Sequence, residues 1–85
     1  MFTIVLTTAA QRHYKKLSRD VAAAVADVFD GEFSRNPLSR SLDVTKLHKP
    51  LDGYRLRIGV YRVLFTLEKE EITVYSIKHR KDAYR

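Results

Sequence analysis

The chain reads as an α+β domain, with an N-terminal strand and an antiparallel helical hairpin packed on one face of a small antiparallel β-sheet. Three observations point there. Val21, Ala24, Val25, Val28 and Phe29 recur at i, i+3, i+4, i+7 and i+8, an amphipathic helical stripe that reads as core. Residues 53–78 hold runs rich in β-branched and aromatic side chains, punctuated by turn signals. The order strand, helix, helix, then meander segregates helices from strands, as α+β domains do. With 85 residues the chain makes one domain, 1–85.

The first strand is expected at residues 2–6, which are rich in β-branched side chains. Thr8 and Gln11 then have the spacing of a capping box. A first helix should run to about Leu17, with Ala10, Tyr14 and Leu17 on one face and Arg12, Lys15 and Lys16 outward. Residues 18–20 read as a break and a second N-cap, and so short a connection implies a helical hairpin. Gly31 lies near the end of the second helix, which Phe33 can extend. Residues 36–43 are polar and punctuated, and read as a loop. Residues 44–51 resist assignment, because Pro50 blocks a continuous helix.

Three strands are expected at about 53–58, 60–67 and 71–78, with a second turn at 68–71. Gly59-Val60 suits a two-residue type II′ turn, with Gly in the first central position. That register sets Ile58 opposite Tyr61 and Arg57 opposite Arg62. Tyr54, Leu56 and Ile58 share one face, and Arg55 and Arg57 the other. Nearly every neighbour of Arg62 in 60–67 is apolar, which marks that strand as central.

The net charge is +6 and unevenly spread. Residues 1–44 hold six Lys/Arg against five Asp/Glu, while residues 45–85 hold ten against five. A basic half of this kind suits nucleic acid, an anionic membrane or an acidic protein. With no cysteine there is no disulfide and no thiolate zinc site. No apolar run approaches a membrane span, and residues 2–6 are too short for a signal peptide. A cytoplasmic protein without membrane association is the expectation.

The candidate site starts from the arginines. Like charges directly opposite on a sheet are destabilising, so Arg57 facing Arg62, with Arg55 nearby, makes sense if an anion sits there. Forked guanidinium donors suit phosphate. The tail adds Lys78, His79, Arg80, Lys81, Tyr84 and Arg85. Set against this, surface arginines on a solvated sheet and a frayed basic tail are common and energetically slight. His13, His48 and His79 lack metal-ligand spacing, so no metal is expected. His13 reads as a helix-surface residue, and His48 as uninformative. Gly-rich phosphate loops, nucleophile elbows and paired acidic motifs are absent from the sequence, and no cofactor is implied.

Leu47, the run Pro50-Leu51-Asp52-Gly53, the stretch from Tyr54 through Arg55, Arg57, Gly59 and Arg62 to Phe65, and the terminal His79-Arg80-x-x-x-Tyr84 together resemble the RelE/ParE toxin superfamily of type II toxin–antitoxin systems. The resemblance covers nearly the whole chain. It implies a RelE-like fold and, on the RelE branch, ribosome-dependent, metal-independent cleavage of mRNA in the ribosomal A site, which stops translation. It further implies that Arg57, Arg62, Arg80 and Tyr84 serve catalysis and that Arg55 meets the mRNA; the basic tail itself adds His79 as a catalytic candidate and Lys78, Lys81 and Arg85 as RNA-binding candidates. The expected partners are a cognate antitoxin, the ribosome and A-site mRNA.

In such a reaction the ribose 2′-OH attacks the adjacent phosphate, which needs a base, an acid and cations. Arg57 and Arg62 supply cations, and arginine is not a base at neutral pH. His79 or Tyr84 can move protons, although an unperturbed tyrosine, with a pKa of about 10, needs activation. Two competing readings remain: a ParE-like inhibitor of DNA gyrase that acts by binding, and a plain RNA-binding module without catalysis.

Overall fold

The computed structural model describes residues 1–82. Along them run β1 (Thr3–Leu6), α1 (Thr8–Lys15), α2 (Arg19–Val28) continued by a π-type turn (Phe29–Phe33), β2 (Val44–Lys46), β3 (Tyr54–Ile58), β4 (Tyr61–Glu68) and β5 (Glu71–His79). Tyr84 and Arg85, expected in the site, lie outside the described residues.

The strands form one sheet in the order β1-β5-β4-β3-β2, so β4 is central, as its apolar sequence requires. β2, β3, β4 and β5 pair antiparallel in succession, whereas β1 pairs parallel with β5. The sheet is therefore mixed, and wider than the expected meander by one strand at each edge. β1 belongs to the sheet itself. At the other edge the unassigned stretch after Asp43 supplies β2, paired through Val44↔Leu56, Thr45↔Arg55 and Lys46↔Tyr54.

The helix ends follow from short polar side chains. Thr7, not Thr8, caps α1: its hydroxyl accepts from Ala10 N–H at 3.1 Å. The Thr7 N–H is held by Val74 O at 2.9 Å, which keeps residue 7 extended and leaves Thr8 already helical. Gln11 reaches back further than a capping box requires, donating from Nε2 to Leu6 O. Ser18 caps α2, accepting from Val21 N–H as expected. Tyr14 OH donates to Ala22 O and ties the two helices together.

The helices cover one sheet face. Ala10, Val25, Phe29 and Phe33 meet Leu56, Val63, Phe65, Ile72, Val74 and Ile77 in the core. Phe33 packs edge-on to Phe65 with ring centroids 4.9 Å apart, a favoured aromatic geometry. Each fully buried side chain of this size contributes about 1.5–3 kcal/mol. Gly53, at φ +88°, brings the chain against β4 so closely that a Cβ there would collide with the Phe65 carbonyl oxygen.

Candidate nucleic-acid interface

The opposite sheet face carries the charge. The β3–β4 register is Ile58↔Tyr61 and Arg57↔Arg62, as the turn residues dictate. Gly59 has φ +60° and Val60 stays at negative φ, the signature of a type II′ turn. In β5 the alternation breaks. Leu64 pairs with Ser76 and Phe65 with Val74, so Tyr75 is an inserted, bulged residue. The extra residue reverses the phase of everything after it. Ile77 and His79 turn to the helical side, and Lys78 turns to the open face opposite Arg62.

Arg57, Arg62 and Lys78 thus stand in one transverse row across β3, β4 and β5. Successive strands are about 4.8 Å apart, so the backbone positions of the three cationic residues span about 10 Å. Arg62 is half-buried, and its Nη1 donates to Gly59 O and Tyr61 O, each at 3.1 Å, which fixes the guanidinium against the hairpin. Arg55 lies one row along on the same face, with Nη2 3.4 Å from Thr45 Oγ1. Beyond Arg57 the row ends in an acid. Asp43 O accepts from Arg57 N–H at 2.9 Å, and Asp43 Oδ2 lies 3.3 Å from Arg57 Nε. Sequence reasoning passed over Asp43. Its one signal was position, immediately before a β-branched pair that starts a strand.

The tail is arranged differently from expectation. Arg80 N–H donates to Val60 O at 2.7 Å, which pins residue 80 beside the hairpin tip. Lys81 is exposed. His79, expected with the arginines, lies on the helical side, edge-on to Tyr61 at 5.5 Å between centroids. The Tyr75 bulge is the physical reason. With His13, Lys16, Tyr61 and Lys78, His79 lines a groove of about 540 Å³ at the helical side of the β5 edge. Nor is His13 a free surface residue. Its Nδ1 accepts from Ile77 N–H at 3.1 Å, occupying a β5 edge position that β1 is too short to cover. Burial, and then the charges of Lys78, Arg12 and Lys16, hold its pKa below the ordinary 6.5. His48 sits exposed in the loop after β2, at the Tyr54 end of that pairing and away from Arg57.

Chemically, the open face is suited to a polyanion. Forked donors and an ammonium sit side by side on rigid strands, and guanidinium matches phosphate oxygens in pairs. A family model described as ParE toxin of type II toxin-antitoxin system, parDE, matches residues 4–84. The chain belongs to the RelE/ParE superfamily of type II toxins. Toxin RelG of Mycobacterium tuberculosis (strain ATCC 25618 / H37Rv) is 36% identical over 87 residues, covering 99% of this chain and 97% of RelG. A chain of the toxin-antitoxin complex RelBE2 from the same species superposes with a TM-score of 0.80 at 32% identity, covering 93% of this chain and 98% of that one. The archaeal RelE-RelB complex from Pyrococcus horikoshii OT3 shares the fold at a TM-score of 0.78 and 23% identity, covering 96% and 98% of the two chains. The RelE-type fold thus accounts for the α+β architecture. The family model carries the ParE name and RelG a Rel name, so the choice between those branches rests on the chemistry of the open face. No helix among the described residues is long and apolar enough to cross a membrane.

Proposed function

We propose that this chain is a ribosome-dependent, metal-independent endoribonuclease that cuts mRNA in the ribosomal A site, and that a cognate antitoxin silences it. The transverse row Arg57–Arg62–Lys78 on the open sheet face carries this reading. In-line attack by a ribose 2′-OH on the adjacent phosphate builds negative charge on the non-bridging oxygens. Two guanidinium groups on adjacent rigid strands meet that charge without reorganising. Arg55 and Lys78 extend the cationic track for the flanking backbone, and Lys81 and Arg85 add to it. Arg80 and Tyr84 serve the scissile phosphate and the neighbouring base from the tail. The ribosome supplies the codon in a fixed geometry, so little cleavage of naked RNA is expected.

The antitoxin is expected to be an acidic or amphipathic segment that folds on binding and covers the cationic face. The solved relative RelBE2, a toxin-antitoxin complex, supports that partner. The soluble machinery it acts on makes the cytoplasm its place of action.

The test is primer extension of a defined mRNA translated on purified ribosomes. New ends at A-site codons, absent without ribosomes, are the expected result. Intact mRNA together with inhibited gyrase supercoiling would replace this reading with the ParE-like one, which the ParE family model favours. Salt-sensitive RNA binding without either activity would leave a binding module.

A further inference from the structure

We infer that Asp43 is the general base of the cleavage reaction, an inference that rests on the endoribonuclease reading above. The reaction needs a group that takes the 2′-OH proton, and none of Arg55, Arg57, Arg62 and Lys78 can accept one as a cation. Asp43 extends the row by one strand position. Its carbonyl accepts from Arg57 N–H at 2.9 Å and its Oδ2 lies 3.3 Å from Arg57 Nε. Its side chain is 55% exposed, so a ribose can reach the carboxylate. Asp52 lines a hollow with Thr66 and Tyr75, further along β4 from Arg62. Glu68, Glu70 and Glu71 line the far β4–β5 turn, and Asp82 lines the helical-side groove with His79. His79 is removed from the row by the Tyr75 bulge.

The Asp43–Arg57 pair gives the base an aim. Arg57 stands between Asp43 and Arg62 in the row, with the scissile phosphate held by the two arginines. The ribose that precedes this phosphate then lies over β2, with its 2′-OH against Asp43. In the step, the 2′-O–H bond breaks and its proton passes to the Asp43 carboxylate. The 2′-oxygen bonds to phosphorus, and the P–O5′ bond breaks with its electron pair on O5′. That oxygen takes a proton from water, giving a 5′-OH and a 2′,3′-cyclic phosphate. Asp43 returns its proton to the resulting hydroxide. As the carboxylate is neutralised, Arg57 transfers its attraction to the charge building on phosphorus.

The experiment separates a base from a mere anchor for Arg57. Asparagine keeps an oxygen for Arg57 Nε but cannot take a proton. Single-turnover cleavage on programmed ribosomes should fall about 10²–10⁴-fold in Asp43→Asn, with ribosome affinity and thermal midpoint unchanged. Asp43→Ala should fall equally and regain rate with added formate or acetate, more with the more basic acetate. Cleavage by Asp43→Asn within about threefold of wild type, on the scale where a base is worth orders of magnitude, would overturn the assignment and leave the nuclease reading intact. A folded wild-type protein that leaves mRNA whole would overturn both.

Discussion

Arg57 and Arg62 face each other directly across β3 and β4, and Lys78 continues the row on β5, so the open sheet face holds like charges side by side. Such pairs oppose folding until an anion lies between them. Sulfate or phosphate should therefore raise the melting temperature more than chloride at equal ionic strength. At ten times the dissociation constant the gain is about 1.4 kcal/mol, or roughly 5–10 °C for a domain of this size. Arg62→Ser should abolish the difference between the anions. Differential scanning calorimetry in matched salts reads both.

His13 ties stability to pH. Its imidazole accepts from the backbone N–H of buried Ile77, and its pKa is lowered in the fold from 6.5. Below 6.5 the unfolded chain takes up a proton that the folded chain resists. The contribution is therefore complete above 6.5 and is lost as pH falls through the lower folded value. Stability at pH 5 should be less than at pH 7.5, with this part of the slope absent in His13→Ala. At pH 7.5 His13→Ala should cost about 1–3 kcal/mol, because the Ile77 N–H loses its acceptor. Urea melts at the two pH values check this.

Two glycines at positive φ should respond unequally. Gly53→Ala drives a Cβ into the Phe65 carbonyl, while a Cβ at Gly59 meets nothing within 4 Å. We expect Gly53→Ala to cost more than about 2 kcal/mol, and Gly59→Ala about 1 kcal/mol, the price of the backbone conformation alone. Equal losses in chemical denaturation would contradict the close approach of residue 53 to β4.

Lys69 occupies the first central position of the β4–β5 turn at φ +56°, where glycine sits in the β3–β4 turn. Lys69→Gly should stabilise the protein by up to about 1 kcal/mol by removing the left-handed penalty of a side chain. Cleavage should be unaffected, since this turn lies at the end of β4 away from Arg62. A thermal melt paired with the ribosome assay reads both effects.

Local chemistry made part of this legible in the sequence. Gly59 at a two-residue turn set the β3–β4 register, and period-two alternation then placed Arg55 and Arg57 on one face. The stripe from Val21 to Phe29 announced α2, and the apolar run around Arg62 announced the central strand. What escaped depended on partners distant in sequence. β2 is three residues long and acquires its identity only by pairing with β3. β1 lies parallel to β5, a pairing with a residue separation of 68 that no local pattern records. Thr7 became the cap because Val74 holds its backbone extended. The Tyr75 bulge inverted the faces of the last strand, which brought Lys78 to the arginines and sent His79 to the helices. Asp43 had no motif to mark it until β2 set it beside Arg57.

The central claim is that the row on the open sheet face acts on the scissile phosphate, and Arg62 is its fixed point. The most direct measurement is the single-turnover rate of A-site cleavage by Arg62→Ala on programmed ribosomes, with ribosome binding and folding verified in parallel. The account predicts a loss of at least about a hundredfold at unchanged ribosome affinity, the scale of removing one preorganised group from a developing anion. A folded, ribosome-bound Arg62→Ala that cuts at the wild-type rate would contradict it.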